Sequence, residues 1–209
     1  REIIEVATFR GHHQAPTDEA HETDPKMLAK KISRASDEGQ LLRDNVYGTI
    51  EEDAERRDFT INALYYNIRD YAIYDFADGV KDIDKGLIDL IGDPETRYRE
   101  DPVRMLRAIR FATKLDMTIS EETERPIKEL APLLDNIPPA RMFEEFLKLF
   151  LSGKAQANFQ QLVHYDLFRY FFPAVDQALK QQSFDFLAAF INQALNNTDE
   201  RINGNKRVT

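Results

Sequence analysis

Near residue 95 the hydrophobic pattern of the chain changes, and this change restricts the folds that the chain can adopt. Before that point, short segments rich in apolar and β-branched residues suit strands, and residues 71–76 and 86–91 are two of them. Beyond it, apolar residues recur at the i, i+3, i+4, i+7 spacing of amphipathic helices. The sequence therefore predicts an α+β fold in which residues 1–95 carry the strands and residues 96–209 are all helical.

The first part is predicted to mix strands, loops and one helix. Residues 2–9 suit a strand, residues 12–40 are polar and weakly periodic and indicate a long mobile loop, and residues 44–50 are predicted to be extended. A loop rich in Asp and Gly joins the two later strands. A helix is predicted from Asp58 onward because four residues follow it at helical spacing: Ile61, Leu64, Tyr65 and Ile68.

The second part is predicted to consist of helices with apolar stripes. Asp101 suits the N-cap of one helix, and Pro102 suits its first turn. In that helix Leu106, Ile109 and Ala112 are expected in the core. Two further stripes have the same spacing, namely Phe143, Phe146, Leu147 and Phe150, and later Phe184, Leu187, Phe190 and Ile191.

The overall charge argues against a broadly basic surface. The chain has 28 Lys and Arg against 37 Asp and Glu, which gives a net charge of −9 and leaves room only for a local basic groove. It has no cysteine, which excludes disulfides and thiolate chemistry. No apolar run approaches the ~18 residues of a membrane span. We expect a cytoplasmic protein that does not bind membranes.

Residues 56–63 (RRDFTINA) concentrate groups that bind nucleotides. The guanidinium groups of Arg56 and Arg57 match phosphate oxygens in geometry, and the carboxylate of Asp58 can accept hydrogen bonds from ribose hydroxyls. An alternative stays open, in which Asp58 caps a helix and the arginines form exposed ion pairs. The acidic residues available for such pairs lie just upstream: Glu51, Glu52, Asp53 and Glu55.

A second candidate site lies at residues 100–104 (EDPVR). Asp101 and Arg104 are three residues apart at a helix start, so their side chains are expected to lie side by side, an acceptor beside a donor. Such a pair fits the Watson–Crick edge of adenine, where N6 donates and N1 accepts. A capped helix with one local ion pair is the alternative. A basic stripe, either solvated or suited to triphosphate or RNA backbone, comprises Arg104, Arg107, Arg110 and Lys114.

Glu5 is a single carboxylate in an apolar stretch, between Ile4 and Val6. It is either a solvent-facing strand residue or a ligand for a hard cation. Mg²⁺ sites combine one or a few carboxylates with substrate phosphates. Glu5 is therefore a candidate metal ligand.

Four segments, taken in order, resemble the motifs of one family, the class II template-independent nucleotidyltransferases. This family comprises the bacterial poly(A) polymerases and the CCA-adding tRNA nucleotidyltransferases. The resemblance covers roughly residues 2–175. Residues 56–63 are similar to the family's RRDFTINA motif, residues 75–82 to its flexible Asp/Gly loop, residues 100–104 to its EDxxR base-reading motif, and residues 140–145 to a motif of its helical neck and body.

The resemblance implies a fold and an activity. Residues 1–95 would be the C-terminal part of a nucleotidyltransferase palm, with mixed or antiparallel strands and helices. Residues 96–209 would form the helical neck and body, where the RNA-binding region starts. The implied enzyme adds AMP from ATP to RNA 3′ ends, with Mg²⁺ as its cofactor and RNA 3′ ends and ATP as its partners.

The resemblance also implies roles for the residues of the palm. Arg57 and Asp58 would contact the ribose of the incoming nucleotide, with Arg56 beside them and Asn62 supporting the pocket. Glu5 would be the third carboxylate of the palm's metal cluster. Asp58 and Glu5 are therefore the candidate catalytic residues.

In the neck, the resemblance implies an amino-acid template for the base. Asp101 and Arg104 would read the base, and Glu100 would orient Arg104. Arg107 would face the triphosphate. Arg110 continues the same basic stripe and is a candidate nucleotide-binding residue with it.

The sequence departs from the family where the family's palm begins. There the family has a Gly-Gly motif and an Asp-x-Asp pair that binds two Mg²⁺, and the start of this chain has neither. Phosphoryl transfer of this kind depends on metals that neutralise charge and activate the attacking 3′-hydroxyl. We therefore expect the chain to be a fragment of a longer protein, inactive on its own, with Mg²⁺ bound in the full-length enzyme.

The two branches of the family share their base-reading residues, so other segments must distinguish them. Residues 6–13, 63–66 and 137–141 resemble the poly(A) polymerase version more than the CCA-adding one. We therefore predict poly(A) addition, with CCA addition to tRNA as the alternative. A noncatalytic module that binds RNA or a protein partner is a third interpretation.

Overall fold

The computed structural model describes residues 6–11, 47–181 and 185–208. Glu5 and the loop predicted over residues 12–40 lie outside this part of the chain, so both stay predictions.

The chain divides into two compact units. The first extends to Lys85 and includes Asp89–Asp93, and the second combines Gly86–Ile88 with Pro94–Thr209. The second unit thus contains a short segment from before residue 95. The assignment of residues 1–95 to a palm and of residues 96–209 to a neck and body stays a prediction.

Each unit has its own helices and strands. The first contains helices α1 (Ile50–Glu55) and α2 (Gly79–Lys85), strands β1 (Leu64–Asn67) and β2 (Ala72–Asp75), and a 3₁₀ turn at Thr60–Asn62. The second contains strands β3 (Leu87–Ile88) and β4 (Thr118–Ile119), with 3₁₀ turns at Ala131–Asn136 and Phe168–Tyr170. Its helices are α3 (Pro94–Glu100), α4 (Val103–Leu115), α5 (Glu121–Glu124), α6 (Ile127–Leu130), α7 (Pro139–Phe150), α8 (Ala155–His164), α9 (Pro173–Leu179) and α10 (Asp185–Asn203).

The helix predicted from Asp58 onward is wrong. The segment makes a single 3₁₀ turn and then enters β1, which pairs antiparallel with β2. The side chains of Asn67 and Asp70 accept hydrogen bonds from backbone amides two residues further on, at 3.0 and 3.1 Å. Asn and Asp favour turns through such bonds, and tyrosines such as Tyr65 and Tyr66 favour strands. A hairpin turn therefore interrupts what reads as a helical stripe.

Helix α1 begins at the end of a stretch that was predicted to be extended. Thr49 Oγ1 accepts from the amide of Glu52 at 3.3 Å, and Glu52 Oε2 accepts from the amide of Thr49 at 2.7 Å. This reciprocal capping box is a signal for a helix start that apolar periodicity alone does not detect. In the described part of the strand predicted over residues 2–9, residues 6–9 are irregular, and Arg10 forms an isolated bridge to Tyr47.

The Asp- and Gly-rich loop predicted after β2 contains helix α2. The carboxylate of Asp75 accepts hydrogen bonds from the amides of Ala77, Gly79 and Val80 at 2.9–3.1 Å. Burial raises the pKa of Asp75, but these three bonds outweigh burial and hold the pKa below its ordinary value. Because the first amides of a helix lack partners within the helix, this carboxylate fixes the start of α2.

The second unit is mostly helical, as predicted. Beyond Asp93 the exceptions to the all-helical prediction are the short β4, which pairs in parallel with β3, and the 3₁₀ turns. Leu106 and Ile109 of α4 are fully buried, as expected, whereas Ala112 is partly exposed. Tyr98 of α3 is also fully buried, and its hydroxyl donates to the carbonyl of Thr123 at 3.0 Å.

Helices α7 and α10 confirm the two helices predicted from apolar stripes, but the described members of the stripes are only partly buried; Phe184 lies outside the described residues. Phe143 is 59% exposed and Phe190 is 61% exposed. Other members of the stripes line an apolar cavity of about 330 Å³, together with residues of α8, of α9 and of the N-cap of α9: Phe146, Phe150, Phe159, Phe172, Val175 and Ile191. None of the helices among the described residues is both long and apolar enough to cross a membrane.

Candidate functional site

The loop that carries the Arg-Arg-Asp motif is held by hydrogen bonds to two other parts of the first unit. The amide of Thr60 donates to the carbonyl of Asp89 at 3.0 Å, and the amide of Ile91 donates to the carbonyl of Asp58 at 2.9 Å. The Thr60 hydroxyl donates to the buried carboxylate of Asp82 at 2.7 Å. These bonds fix the backbone of the motif although it is not helical.

Asp53 is the centre of a hydrogen-bond network beside Arg57. Its Oδ2 accepts from the hydroxyl of Tyr65 at 2.7 Å and from Nε and Nη2 of Arg57 at 3.1 and 2.8 Å, and its Oδ1 accepts from the amide of Arg10 at 3.0 Å. Burial raises the pKa of Asp53, but the bonds from Tyr65, the Arg10 amide and Arg57 outweigh burial, so the pKa lies below its ordinary value. Asp53 therefore stays ionised as the charged partner of Arg57.

The exposure of this ion pair is uneven. The side chain of Arg57 is 48% exposed, whereas that of Asp53 is 7% exposed. The local ion pair of the alternative interpretation is therefore present for Arg57. The pair also orients the guanidinium while leaving half of its surface open to solvent, which a phosphate- or ribose-binding arginine requires.

Asp58 is oriented by its own loop. Its Oδ1 accepts from Asn62 Nδ2 at 3.0 Å and from the amide of Phe59 at 2.9 Å. It does not cap an α-helix, because the turn that follows is a short 3₁₀ turn without a side-chain cap. Arg56, the first arginine of the motif, is the C-cap of α1, and its amide donates to the carbonyl of Glu52 at 3.3 Å.

In the second unit, Glu100 holds two guanidinium groups. Its Oε2 accepts from Nη1 of Arg97 at 2.9 Å and from Nη1 of Arg104 at 3.0 Å, and the same Nη1 of Arg104 donates to the carbonyl of Arg97 at 2.6 Å. The Arg104 side chain is only 10% exposed. The contact implied between Glu100 and Arg104 is present, and it fixes the orientation of the guanidinium plane. What Arg104 binds stays a prediction.

Asp101 and Arg104 bind different partners and not each other. Their joint role in reading a base stays a prediction. Its Oδ1 accepts from the amide of Val103 at 3.2 Å, and its Oδ2 accepts from Nη2 of Arg141 at 2.6 Å. Helix α4 begins at Val103, so Asp101 binds a first-turn amide from two residues upstream. Arg104 instead donates to Glu100, which also binds Arg97.

The basic stripe on α4 is not an open row of cations. Arg110 Nε lies 3.8 Å from Oε2 of Glu145 on α7, and both side chains are largely buried. The guanidinium groups of Arg107 and Arg110 lie 5.3 and 4.5 Å from the ring of Phe111. Lys114 is exposed at the end of the helix. The stripe therefore contains cations with protein partners, and a triphosphate role for Arg107 and Arg110 stays a prediction.

The described residues do not supply a metal centre. In the ranges 6–11, 47–181 and 185–208, no three His, Cys, Asp or Glu side chains are arranged to hold a metal ion. The triplet Asp82-Ile83-Asp84 has the Asp-x-Asp spacing, but its first carboxylate is buried and accepts from Thr60. The described residues therefore do not fit the Mg²⁺ site that the family implies, and Glu5 lies outside them.

Three residues of these networks were not singled out from the sequence. Tyr65 is named only in an apolar stripe, Arg97 has no predicted role, and Arg141 belongs only to a motif. A signal existed for Arg97, which stands at i−3 from Glu100 on one helix face. The contact of Arg141 with Asp101 spans 40 residues, and no local pattern indicates it.

Both parts of the chain match known families. Residues 1–89 match the family described as the poly A polymerase head domain, and residues 116–179 match the one described as a probable RNA and SrmB-binding site of polymerase A. The chain is 52% identical to poly(A) polymerase I of Salmonella typhimurium over 207 residues, which is 99% of this chain and 42% of that protein. It is 51% identical to poly(A) polymerase I of Haemophilus influenzae over 208 residues, which is 100% of this chain and 44% of that protein.

CCA-adding enzymes are similar over a shorter range. The chain is 43% identical to the CCA-adding enzyme of Limosilactobacillus reuteri over 122 residues, which is 58% of this chain and 30% of that enzyme. The chain thus spans less than half the length of each of these relatives.

Solved structures of tRNA-processing enzymes share the fold. The Bacillus stearothermophilus CCA-adding enzyme in complex with CTP superposes with a TM-score of 0.60 and 27% identity, covering 77% of this chain and 47% of that one. A tRNA nucleotidyltransferase complexed with a primer tRNA and an incoming ATP analog gives a TM-score of 0.55 and 28% identity, covering 65% of this chain and 42% of that one.

Proposed function

The chain belongs to the family of bacterial poly(A) polymerases and CCA-adding nucleotidyltransferases, and from this we propose that it is part of an RNA 3′-end adenylyltransferase. In the proposed reaction, the 3′-hydroxyl of an RNA attacks the α-phosphorus of ATP, AMP is added to the RNA and pyrophosphate leaves. RNA 3′ ends and ATP are the proposed partners. A cytoplasmic location stays a prediction.

One observation supports poly(A) addition over CCA addition. The similarity to poly(A) polymerase I runs at 52% identity through 99% of the chain, whereas the similarity to a CCA-adding enzyme runs at 43% through 58%. The solved structures point to tRNA-processing enzymes, but their identities of 27–28% reflect the fold that both activities share. The sequence-wide similarity therefore supports the proposal of poly(A) addition.

For the base, we propose a protein template made of Asp101 and Arg104. A carboxylate accepts from the N6 amino group of adenine, and a guanidinium donates to N1. The bond from Arg104 to Glu100 supports this role because it fixes the guanidinium without using all of its donors. Arg107 and Arg110 are proposed to lie towards the triphosphate, although Arg110 is also close to Glu145.

For the sugar and α-phosphate, we propose the Arg-Arg-Asp loop. Arg57 is oriented by Asp53 and half exposed, and Asp58 is oriented by Asn62, so a guanidinium and a carboxylate are both held in defined positions. Arg56 is proposed to add positive charge at the same loop. Such preorganisation lowers the entropy that is lost when a nucleotide binds.

Metal ions bound to the full-length enzyme would neutralise phosphate charge and activate the attacking hydroxyl. We assign no step to them here, because the described residues do not form a site that fits them. Glu5 stays a proposed ligand and, with Asp58, a proposed catalytic residue.

Incorporation assays on the full-length enzyme test the activity. Poly(A) addition requires that ATP alone supports the extension of an RNA with an arbitrary 3′ end. CCA addition, the second candidate, requires CTP followed by ATP and a tRNA acceptor. A requirement for CTP would overturn the proposal in favour of the CCA-adding alternative.

Binding measurements separate an enzyme from a noncatalytic RNA-binding module. We expect this chain to bind ATP and to lose that binding in Arg104→Ala, while Arg99→Ala, which removes a half-exposed arginine of the preceding helix, retains it. Both variants are titrated with ATP and with oligo(A) at several salt concentrations. RNA binding with a steep salt dependence and no ATP binding would favour the module.

A further inference from the structure

The carboxylate of Asp101 is held from two sides by groups of different origin. Oδ1 accepts from the amide of Val103, two residues away, and Oδ2 accepts from the guanidinium of Arg141 at 2.6 Å. Arg141 belongs to α7, which is 40 residues distant in sequence. A bond on each oxygen defines the rotation of the carboxylate as well as its position, which the backbone bond alone does not do.

Helix α7 has a further polar contact, with α4 itself, about one helical turn after Arg141. Glu145 Oε2 lies 3.8 Å from Arg110 Nε, and both side chains are largely buried. The two contacts connect α7 to the residue pair just before α4 and to the middle of α4. Arg141 is therefore placed by a packed helix, although its own side chain is 46% exposed.

We propose that Arg141 is a positioning residue that holds the Asp101 carboxylate in the orientation from which it reads the base. The proposal rests on the proposed function, in which Asp101 and Arg104 form the template. A carboxylate has about four lone-pair sites. With one bond on each oxygen, Asp101 keeps acceptor capacity for an exocyclic amino group while Arg141 binds it.

The chemistry predicts which nucleotide discrimination depends on Arg141. Adenine presents a donor at N6 and an acceptor at N1, whereas guanine presents an acceptor at O6 and a donor at N1. A fixed carboxylate therefore attracts the first pattern and repels the second. If the carboxylate rotates away, the repulsion of guanine weakens along with the attraction of adenine, so the preference for ATP over GTP falls.

The test is the ratio of kcat/KM for ATP to kcat/KM for GTP, measured on the full-length enzyme with one RNA primer. We expect Arg141→Ala to lower this ratio roughly three- to tenfold, because the pair is charge-assisted but partly exposed to solvent. The change is expected mainly in KM for ATP, with KM for the RNA primer unchanged. Arg141→Lys, which keeps a charge but loses the planar fork, is expected to restore part of the ratio.

Lys148→Ala is the matched control. Lys148 also lies on α7, is 47% exposed and binds a carboxylate, that of Glu145, at 2.7 Å. It does not contact Asp101, so its removal is expected to leave the ATP:GTP ratio unchanged. Because the ratio compares two nucleotides on the same enzyme preparation, a smaller folded fraction in any variant does not alter it.

A double-mutant cycle with Asp101→Asn tests whether Arg141 acts through Asp101. We expect Asp101→Asn to lower the ratio, and Arg141→Ala to have no further effect in that background. If Asp101→Asn leaves the ratio unchanged, the proposed template fails. If it lowers the ratio while Arg141→Ala alone does not, the template stands and the positioning role is overturned. Tighter ATP binding by Arg141→Ala would also overturn that role, because it would show that Arg141 competes with the base.

Discussion

The two units each contain an arginine–carboxylate network, and they bury opposite partners. In the first unit the carboxylate of Asp53 is 7% exposed and the guanidinium of Arg57 is 48% exposed. In the second unit the guanidinium of Arg104 is 10% exposed and the carboxylate of Glu100 is 33% exposed. In each network the more buried residue, Asp53 or Arg104, is fixed by several hydrogen bonds.

The difference shows which charged group each network fixes in one orientation. A buried charge must be matched by partners, because desolvation penalises it strongly when it is unpaired. Asp53 is matched by a tyrosine, an amide and an arginine, and half of that arginine's side-chain surface faces solvent. Arg104 is matched by a carbonyl and a carboxylate, so only an edge of its guanidinium reaches solvent. The first arrangement suits charge attraction, and the second suits recognition with a defined direction.

The largest effect on stability is expected in the first network. Asp53→Ala leaves the Tyr65 hydroxyl, the Arg10 amide and the Arg57 guanidinium without their shared acceptor, and we expect a loss of about 2–3 kcal/mol in the free energy of unfolding. Asp84→Ala removes an exposed aspartate of α2 in the same unit and should change stability by less than about 0.5 kcal/mol. Urea unfolding followed by circular dichroism measures both. Equal effects in the two variants would show that Asp53 is not the centre of the network.

A smaller effect is expected in the second network. Glu100→Gln replaces a carboxylate that binds two arginines with a neutral amide, and charge-assisted hydrogen bonds are about twice as strong as neutral ones. We expect a loss of about 1 kcal/mol in the free energy of unfolding, since Glu100 is one-third exposed.

Glu95→Gln is the matched control for Glu100→Gln. Glu95 lies on the same helix and binds one arginine, Arg99, with both side chains more than half exposed. The free energy of unfolding should change by less than about 0.5 kcal/mol. A loss in Glu100→Gln as large as that in Asp53→Ala would remove the contrast between the two networks, because it would mean that the half-buried carboxylate matters as much as the buried one.

The sequence predicts the α+β class and the helical second part because amphipathic spacing is a local property. It fails from Asp58 to Ile68, where a helical stripe coincides with a hairpin whose turn is set by Asn67 and Asp70. It also misses α1, where the Thr49 and Glu52 capping box was a better signal than periodicity. In each case local side chain to backbone bonding decided the structure.

The contacts of the candidate site also differ in whether local sequence predicts them. The Glu100–Arg104 contact joins the end of α3 to the start of α4, four residues apart in sequence, and could be expected from a resemblance to known motifs. The partners of Asp101 and Asp58 differ in range: Asn62 is four residues from Asp58, but Arg141 is 40 residues from Asp101. Long-range contacts such as the one between Asp101 and Arg141 depend on which helices pack together. The spacing of apolar residues in one sequence does not indicate the partner helix. For this reason the sequence alone does not predict the contact of Asp101 with Arg141.

The smallest expected effect compares a tyrosine of each unit at alkaline pH. Burial, followed by a hydrogen bond to a carboxylate, raises the pKa of Tyr65 to about 12 from 10.0, and the same two causes raise the pKa of Tyr165 to about 12. Tyr65 donates to Asp53 and Tyr165 donates to Glu124 at 3.0 Å. Since each pKa is higher in the folded state, the stability that each tyrosine contributes is complete below pH 10 and is lost as the pH rises to about 12.

Tyrosinate absorbance and urea unfolding over that pH range test whether stability falls as these tyrosines ionise. We expect Tyr65→Phe and Tyr165→Phe each to remove one late-titrating tyrosine and to reduce the loss of stability between pH 10 and about 12. Tyr66→Phe, which removes a neighbouring hydroxyl on a ring that is 60% exposed, should leave both observations as in the unmodified chain. If Tyr165→Phe acts and Tyr65→Phe does not, the Asp53 network is more open to water than its carboxylate burial implies. Burial of the Asp53 carboxylate would then no longer distinguish the network of the first unit from that of the second.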